Sequence, residues 1–216
     1  MTHRRPEKPQ YTPDGCVLGV ERSRDFGRTD VARSHFPRYI GGVVEVLVAL
    51  GSNVGDSIGN LRLATQLLAE TVGVKATSHV YETAPMYVED QPAFLNAALL
   101  LTTTLSPMEV LSTLKGLERR IGRERRQQNG PREIDLDLIA YGRLAYCYIE
   151  GKELRLRVPH PRVAERRFVL QPLADVAPDF ELPGIGIVQM LLDQTEHQRE
   201  SVMRLEHALL PVQRLK

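Results

Sequence analysis

The chain has 216 residues, of which 42% are hydrophobic and 25% are charged, and its formal net charge at pH 7 is +1. This length suits one domain, or one domain with a tail, and the near-neutral charge argues against a nucleic-acid-binding protein, whose domains are usually strongly basic. No apolar run approaches the roughly 20 residues that span a bilayer, and no apolar segment follows the arginines near the N-terminus, so neither a membrane anchor nor a secretory signal is expected.

The first 42 residues are rich in Arg, Pro, Gly and Asp and show no sustained hydrophobic period. Segments of this composition bury too little apolar surface to fold by themselves. Residues 1–42 are therefore predicted to be a basic leader that is disordered or loosely attached, although Cys16–Val20 could form a short strand. A folded domain is predicted over 43–195, followed by a helical extension over 196–216.

The hydrophobic pattern becomes regular at residue 43. Residues 43–50 are nearly all apolar and rich in Val, which is typical of a buried strand that ends at Gly51. Apolar residues then recur three or four positions apart from Ile58 to Val72, which predicts an amphipathic helix. A strand, a long loop and another strand are predicted next, over 74–81, 83–92 and 94–104.

The second helix has a clear start. Ser106 is a capping residue, Pro107 occupies the first helical position, and Glu109 stands where a capping box requires an acid. A strand over 134–141 follows an arginine-rich loop. The order is thus β-α-β-β-α-β, so we predict an α+β, ferredoxin-like core: an antiparallel sheet with two helices on one face.

Further elements are predicted after this core. They comprise a hairpin over 144–149 and 154–158, a helical segment over 164–173 and a helix from about residue 187. The spacing of Val202, Leu205 and Leu209 predicts that the tail is helical.

Two carboxylates, Asp135 and Asp137, stand in a D-x-D pattern on the last core strand. Residues i and i+2 of a strand point to the same face, so Leu136 is expected in the core and both acids on the opposite face. Mg²⁺ is usually held by one or two carboxylates together with phosphate oxygens. Taken alone, the pair fits a metal site or a solvated strand face equally well.

Arginines accompany the acidic pair. Gly130-Pro131-Arg132 leads directly into it, and Arg123, Arg125 and Arg126 lie just upstream. Arginine is suited to planar, bidentate contact with phosphate, and phosphoryl transfer depends on cations placed around the phosphates. Metal-binding acids beside arginines therefore favour a phosphoryl-transfer site, and a solvated basic loop is the alternative.

Two other features bear on the site. Val158-Pro159-His160-Pro161-Arg162, followed by Arg166, fixes the backbone around a histidine, which suits nucleotide binding, although a lone histidine is more often structural. Glu118 borders the apolar stripe of its helix, where an acid needs a partner. An ion pair with an arginine of the next loop and a role in ligand binding are both open for Glu118.

The segment from Val43 to about Leu191 resembles the 6-hydroxymethyl-7,8-dihydropterin pyrophosphokinase family. The resemblance is carried by motifs in the same order and spacing: Ala49-Leu50-Gly51-Ser52-Asn53, Ser78-x-x-Tyr81-x-Thr83-x-Pro85, Gln91-Pro92-x-Phe94-x-Asn96, Glu118 with Gly122-Arg123, Gly130 to Asp137, and Val158 to Phe168. It implies transfer of pyrophosphate from MgATP to the hydroxymethyl group of a dihydropterin, in folate synthesis. The chain departs from the family at Gln128 and Asn129.

The resemblance also implies a role for each matching residue. Asp135 and Asp137 would hold two Mg²⁺ ions, and Arg123 and Arg132 would contact the transferring phosphates. ATP would be bound by Glu118, Arg125, His160 and Arg166. The pterin ring would lie between Phe94 and Phe168, with its edge bonded to Thr83, Asn96 and groups around Pro85.

Three other readings of the sequence compete with this one: an RNA-binding module, a regulatory small-ligand module and an inactive relative of the enzyme. The partners expected are ATP and a dihydropterin, and other enzymes of the folate pathway; neither nucleic acid nor membrane is expected. Cys16 and Cys147 give neither a disulfide framework nor a metal-binding spacing, so a reduced, cytoplasmic setting is expected.

Overall fold

The computed structural model describes residues 10–11, 17–18, 42–85, 90–124, 130–150 and 153–209. Its strands are β1 (Gln10–Tyr11), β2 (Val17–Leu18), β3 (Val44–Ser52), β4 (Gly73–Thr77), β5 (Val80–Thr83), β6 (Phe94–Thr103), β7 (Asp135–Tyr141), β8 (Tyr146–Glu150), β9 (Glu153–Val158), β10 (Glu181–Leu182), β11 (Gly186–Ile187) and β12 (Val202–Leu205). Its α-helices are α1 (Ser57–Ala69), α2 (Pro107–Ile121), α3 (Arg167–Val176) and α4 (Val188–Gln194), with 3₁₀ segments at Val163–Glu165 and Glu196–Ser201.

The main sheet has the strand order β12-β5-β6-β3-β7, and β4 also pairs with β6. The central strand β3 is antiparallel to β6 on one side and to β7 on the other. This arrangement of β7, β3, β6 and then β4 and β5 is the ferredoxin-like order. The predicted α+β class with an antiparallel sheet is therefore confirmed.

Helices cover both faces of the sheet. On one face α1 and α2 bury Leu61 and Leu114 against the strands, as their apolar periodicity predicts. On the other face α3 and α4 bury Leu170, Leu173 and Leu191. Burial of one such side chain contributes about 1.5–3 kcal/mol, so the sheet is stabilised from both sides. The second helical layer also brings the start of α3 to the edge of the sheet where β7 begins.

The ends of α2 agree with the sequence. Glu109 Oε2 accepts a hydrogen bond from Ser106 N at 2.8 Å, and the Ser106 hydroxyl accepts from Glu109 N, which completes the predicted capping box. The helix ends at Gly122, whose φ of 104° lies in the left-handed region that favours glycine. The turn at Gly122 brings Arg123 toward the start of β7.

The predicted second strand over 74–81 is in fact two strands, β4 and β5, separated by Ser78 and His79. The Ser78 hydroxyl accepts a hydrogen bond from Ala98 N at 2.8 Å, while Ser78 N donates to Ala98 O at 2.9 Å. A side chain thus replaces part of the backbone ladder at this point. The interruption lets β5 continue along β6 toward the loop that begins after Thr83.

The prediction of a helical tail is wrong for Val202–Leu205, which form strand β12 after a short 3₁₀ segment. Within the leader, β1 pairs with β2, and β2 runs parallel to β8; the division of the chain at residues 42 and 195 stays a prediction. Cys147 lies on β8 and Cys16 falls outside the described residues, so the expected reduced setting stays a prediction. Within the described ranges, no helix has the length and apolar character needed to cross a membrane.

Candidate active site

A cavity of about 240 Å³ opens at the end of the sheet where β3 ends and β7 begins. Nine of the residues singled out in the sequence line it: Thr83, Phe94, Asn96, Arg132, Asp135, Asp137, His160, Arg166 and Phe168. They come from β5, β6, β7, the start of α3 and the segments that precede β7 and α3. Three small or apolar residues of β3, Ala49 to Gly51, form part of its wall. The fold therefore brings together nine predicted side chains that are up to 85 positions apart in the sequence.

The acidic pair has the geometry expected of a strand. Leu136 is fully buried, whereas Asp135 and Asp137 both face the cavity. Opposite them on β3 stand Gly51, paired with Asp135, and Ala49, paired with Asp137. These partners have little or no side chain, so nothing from β3 fills the space in front of the two carboxylates.

Asp135 is held by two arginines. Arg123 Nη1 donates to Asp135 Oδ1 at 2.5 Å, and Arg132 Nη1 donates to Asp135 Oδ2. Burial alone would raise the pKa of Asp135, but Arg123, Arg132 and Lys115 outweigh it and hold this pKa below its usual range. Burial opposes the charged form of Arg123 as well, but Asp135 and Glu118 raise its pKa.

The pKa of Asp137 shifts in the opposite direction. Burial, and then the nearby charge of Asp135, raise the pKa of Asp137 above its usual value. Lys115 Nζ lies 3.8 Å from its Oδ1. Asp135 is neutralised by its arginines more fully than Asp137 is by Lys115. A cation bound between the two carboxylates would therefore be favoured.

Glu118 and Lys115 lie behind the acidic pair, on α2. Glu118 is only 4% exposed, and its Oε1 accepts from Leu136 N at 2.8 Å and pairs with Arg123 Nη1 at 2.6 Å. Lys115 Nζ donates to Glu118 Oε1 at 2.6 Å and to Leu136 O at 3.0 Å. The structure thus shows the ion pair considered for Glu118, and its predicted contact with ATP stays a prediction.

No role was assigned to Lys115 from the sequence, although a signal was present. Lys115 precedes Glu118 by three positions, and residues so spaced on a helix lie on the same face. A lysine beside a buried acid, on the helix that packs on the D-x-D strand, could have been included in the candidate site.

Asn53 joins two loops that border the cavity, and its role was also missed. Its Nδ2 donates to Gln91 Oε1 at 3.1 Å and to Pro92 O at 3.0 Å, and its Oδ1 accepts from Arg132 N at 2.8 Å. A backbone bond from Asn53 N to Arg132 O, at 3.0 Å, completes the joint. Gly51-Ser52-Asn53 is therefore more than a strand terminus, because it positions Arg132 in front of Asp135.

Two aromatic rings and two polar side chains occupy the other end of the cavity. Asn96 Nδ2 donates to Thr83 Oγ1 at 2.8 Å, and both residues are buried. Arg132 lies 5.5 Å from the centre of the Phe94 ring, and Arg166 lies 5.7 Å from that of Phe168. A guanidinium over a ring face is attractive, so each arginine is held beside an aromatic.

Not every predicted site residue lies on this cavity. Pro85, Glu118 and Arg123 are outside its lining, although Arg123 bonds to Asp135. Arg125, together with Gln128 and Asn129, falls outside the described residues, so its predicted contact with ATP stays a prediction. His160 lines the cavity, and burial, followed by the charges of Arg166 and Arg162, lowers its pKa to about 4.

Comparison with known proteins gives matches over the same segment. A family model described as 7,8-dihydro-6-hydroxymethylpterin-pyrophosphokinase (HPPK) matches residues 47–178. A 2-amino-4-hydroxy-6-hydroxymethyldihydropteridine pyrophosphokinase of Bacillus subtilis is 43% identical over 136 residues, which cover 62% of this chain and 78% of the relative. A mitochondrial folate synthesis bifunctional protein of Pisum sativum is 46% identical over 134 residues, which cover 61% of this chain and 25% of the relative.

The chain thus spans about a quarter of the length of the bifunctional plant relative that it matches. Among solved structures, it is similar to the Plasmodium falciparum HPPK-DHPS wild type with pteroate, with a TM-score of 0.60 and 15% identity. That match covers 76% of this chain and 46% of the other. At this identity the structural likeness concerns the fold.

Proposed function

The chain belongs to the 7,8-dihydro-6-hydroxymethylpterin-pyrophosphokinase family, and on that premise we propose that it transfers pyrophosphate from MgATP to the hydroxymethyl group of 6-hydroxymethyl-7,8-dihydropterin. The observation that carries the proposal is the placement of two carboxylates, two arginines and two aromatic rings around one cavity, with a third arginine, Arg123, bonded to Asp135 beside it. The carboxylates suit metal binding, the arginines suit phosphate binding and the aromatic rings suit pterin binding.

The carboxylates Asp135 and Asp137 suit magnesium. Their side chains share one face of β7, and burial, followed by the charge of Asp135, raises the pKa of Asp137. Among the described residues no cluster of three or more His, Cys, Asp or Glu forms a metal site, but Mg²⁺ typically takes one or two carboxylates and completes its shell with phosphate and water. We assign both acids as ligands of two Mg²⁺ ions, which would orient the phosphates and stabilise charge during transfer.

The arginines suit phosphate. Arg132 lies between Asp135 and Phe94, and within the described residues its buried Nε has no hydrogen-bond partner. A buried donor without a partner costs free energy, and a phosphate oxygen would satisfy it. Arg123 and Arg166 provide further positive charge on either side, and His160, neutral near pH 7 because its pKa is about 4, can bond to the nucleotide without adding charge.

The aromatic end suits a pterin. Phe94 and Phe168 present two ring surfaces to the cavity, and a planar bicyclic ring gains from aromatic contact on its faces. Thr83 and Asn96 provide buried hydroxyl and amide groups for a ring edge rich in donors and acceptors. A site that hydrogen-bonds such an edge discriminates strongly against rings that lack it.

The reaction needs positioning more than acid or base groups. The hydroxymethyl oxygen loses its proton to solvent and bonds to the β-phosphorus of ATP, while the bond from that phosphorus to the bridging oxygen of the α-phosphate breaks and AMP leaves. Arg123 and Arg132 hold the transferred phosphates, and the two aromatic rings fix the attacking alcohol in line. Such placement supplies much of the rate enhancement in phosphoryl transfer.

Partners and location remain proposals. The bifunctional names of the plant relatives support association with other enzymes of folate synthesis. The cytoplasmic location expected from the sequence stays a prediction, and the pea relative is described as mitochondrial.

A turnover assay tests the proposed reaction. The chain is mixed with MgATP and 6-hydroxymethyl-7,8-dihydropterin, and AMP is quantified for the wild type, Asp135→Ala, Asp137→Ala and the control Asp179→Ala, whose carboxylate is exposed. AMP is expected from the wild type and the control alone. Normal turnover in both β7 variants would defeat the metal assignment, and pterin binding without AMP would indicate a non-catalytic ligand-binding module instead.

A further inference from the structure

The strand β12 lies beyond the segment that matches the family, which ends at residue 178, yet it completes the main sheet. It pairs antiparallel with β5, and Val202 stands opposite Thr83 while Leu205 stands opposite Val80. The other edge of β5 pairs with β6 through Tyr81, Glu82 and Thr83. All four residues of β5 therefore have a partner on β12, and without β12 this short strand would be an open edge.

The chain after β12 is also fixed to the domain. Leu205 packs against the core under α1 and α2, and Leu209 is 2% exposed within the same core. Arg62 on α1 donates from Nε to Ala208 O at 3.1 Å. The segment from Val202 to Leu209 thus lies along the sheet edge and ends in a buried contact, so it is packed as part of the domain.

A row of polar contacts joins β12 to α3. Arg204 Nη2 donates to His79 Nε2 at 2.6 Å, and His79 Nδ1 in turn bonds to Asp175 Oδ2 at 2.9 Å. The tautomer follows from these partners, since Nε2 accepts and Nδ1 carries the proton. Asp175 also accepts from His79 N and from Tyr81 OH, both at 3.0 Å. We call Arg204, His79, Asp175 and Tyr81 the edge latch.

The edge latch connects to the pterin end of the cavity through both elements that it holds. Strand β5 ends at Thr83, which bonds to Asn96, and Tyr81 of the latch stands opposite Asn96 in the ladder. On α3, Asp175 follows Phe168 by seven positions, so the two side chains lie on the same face of the helix. A shift of β5 or α3 at the latch would move Thr83 or Phe168 in the cavity.

We propose that β12 and the edge latch are a positioning device for the pterin pocket, with Arg204 as its key residue. The inference rests on the proposed function, because it concerns how the pterin site is held. Arg204 does not line the cavity and acts through His79 and Asp175. Most of the nucleotide end is built on β7 and the segment before it, which are not part of the latch, and only Arg166 adjoins α3, as its N-cap residue. ATP binding should therefore change less than pterin binding when the latch is lost.

Two variants test this: Arg204→Met, which keeps the aliphatic stem but removes the guanidinium, and deletion of residues 202–216. Arg199→Met is the matched control, since Arg199 lies on the same tail and pairs at the surface with Glu196. For each protein we would measure the KM for 6-hydroxymethyl-7,8-dihydropterin, the KM for ATP, and the hydrogen exchange of the amides of residues 80–83.

Loss of the latch is expected to raise the KM for the pterin more than the KM for ATP. Arg204→Met should raise the pterin KM about threefold, because an exposed polar contact is weak, and the deletion should raise it roughly tenfold or more. The ATP KM should stay within about twofold of the wild type, and amides 80–83 should exchange faster in both variants but not in Arg199→Met. Equal changes in both KM values, or unchanged exchange of 80–83 in both variants, would overturn the proposal. Hydrogen exchange needs no turnover, so its result stands even if the chain forms no AMP.

Discussion

The two carboxylates of β7 are predicted to affect stability in opposite directions, although both are needed for turnover. Asp135 bonds to Arg123 and Arg132 and has a lowered pKa, whereas burial and Asp135 raise the pKa of Asp137. Replacing either acid by Asn keeps the shape and removes the charge. Asp135→Asn should therefore destabilise the protein, and Asp137→Asn should leave its stability unchanged or increase it.

The magnitude follows from the partners that remain. Breaking a buried ion pair by removing one member costs about 3–5 kcal/mol; Arg123 keeps Glu118 as a partner, so about 2–3 kcal/mol is expected for Asp135→Asn. For a chain of this size, that lowers Tm by roughly 5–10 °C. The Asp137 side chain is 38% exposed, so water screens its repulsion, and Asp137→Asn should raise Tm by at most about 3 °C.

The pH dependence of stability independently checks the direction of the change expected for each variant. A lowered pKa contributes stability that is present above the unfolded pKa and is lost as pH falls through the folded pKa. The stability that Asp135→Asn loses relative to the wild type should therefore become smaller in acid. A raised pKa penalises the wild type at high pH, and the penalty disappears as pH falls through the folded pKa. Any stability that Asp137→Asn gains over the wild type should therefore also become smaller in acid.

Thermal unfolding with EDTA and without nucleotide measures both effects, with Asp179→Asn as the control at an exposed acid. The control should match the wild type within about 1 °C. Equal loss of Tm in both β7 variants, or a higher Tm for Asp135→Asn, would refute the electrostatic reasoning, because the two acids would then share one environment.

Three further predictions concern other parts of the molecule. Asn53→Ala removes three side-chain hydrogen bonds between two loops; it should cost about 2 kcal/mol in urea denaturation and slow AMP formation, and normal stability would contradict the role of the joint. Ser106→Ala removes the capping box of α2 and should lower stability by about 1 kcal/mol while the KM values stay unchanged; a changed KM would show that the cap also shapes the site. Because the pKa of His160 is about 4, the wild-type pH–rate profile should have no limb near the ordinary histidine pKa that disappears in His160→Asn; such a limb would show that His160 is charged near neutral pH.

The core topology was predictable because each element carries its own local signal. The apolar run of β3, the helical spacing of α1 and the capping box at Ser106 depend on residues close in sequence, and the structure agrees with all three. The D-x-D pair was predictable for the same reason, since alternation along a strand fixes which residues share a face.

What the sequence did not reveal depends on contacts between distant residues. The spacing of Val202, Leu205 and Leu209 fits a helix, but pairing with β5 makes this segment a strand, and no local pattern specifies that partner. The break in the second strand depends on Ser78 bonding to Ala98, and the role of Asn53 depends on loops that only the fold brings together. Lys115 is the exception, because its spacing from Glu118 was visible.

A single-turnover experiment followed by ³¹P NMR tests pyrophosphate transfer most directly. With excess protein, MgATP and 6-hydroxymethyl-7,8-dihydropterin, the attack on the β-phosphorus proposed above predicts AMP and a pterin diphosphate in equal amounts, and neither product with Asp137→Asn. Appearance of ADP with a pterin monophosphate, or equal product from the wild type and Asp137→Asn, would contradict it.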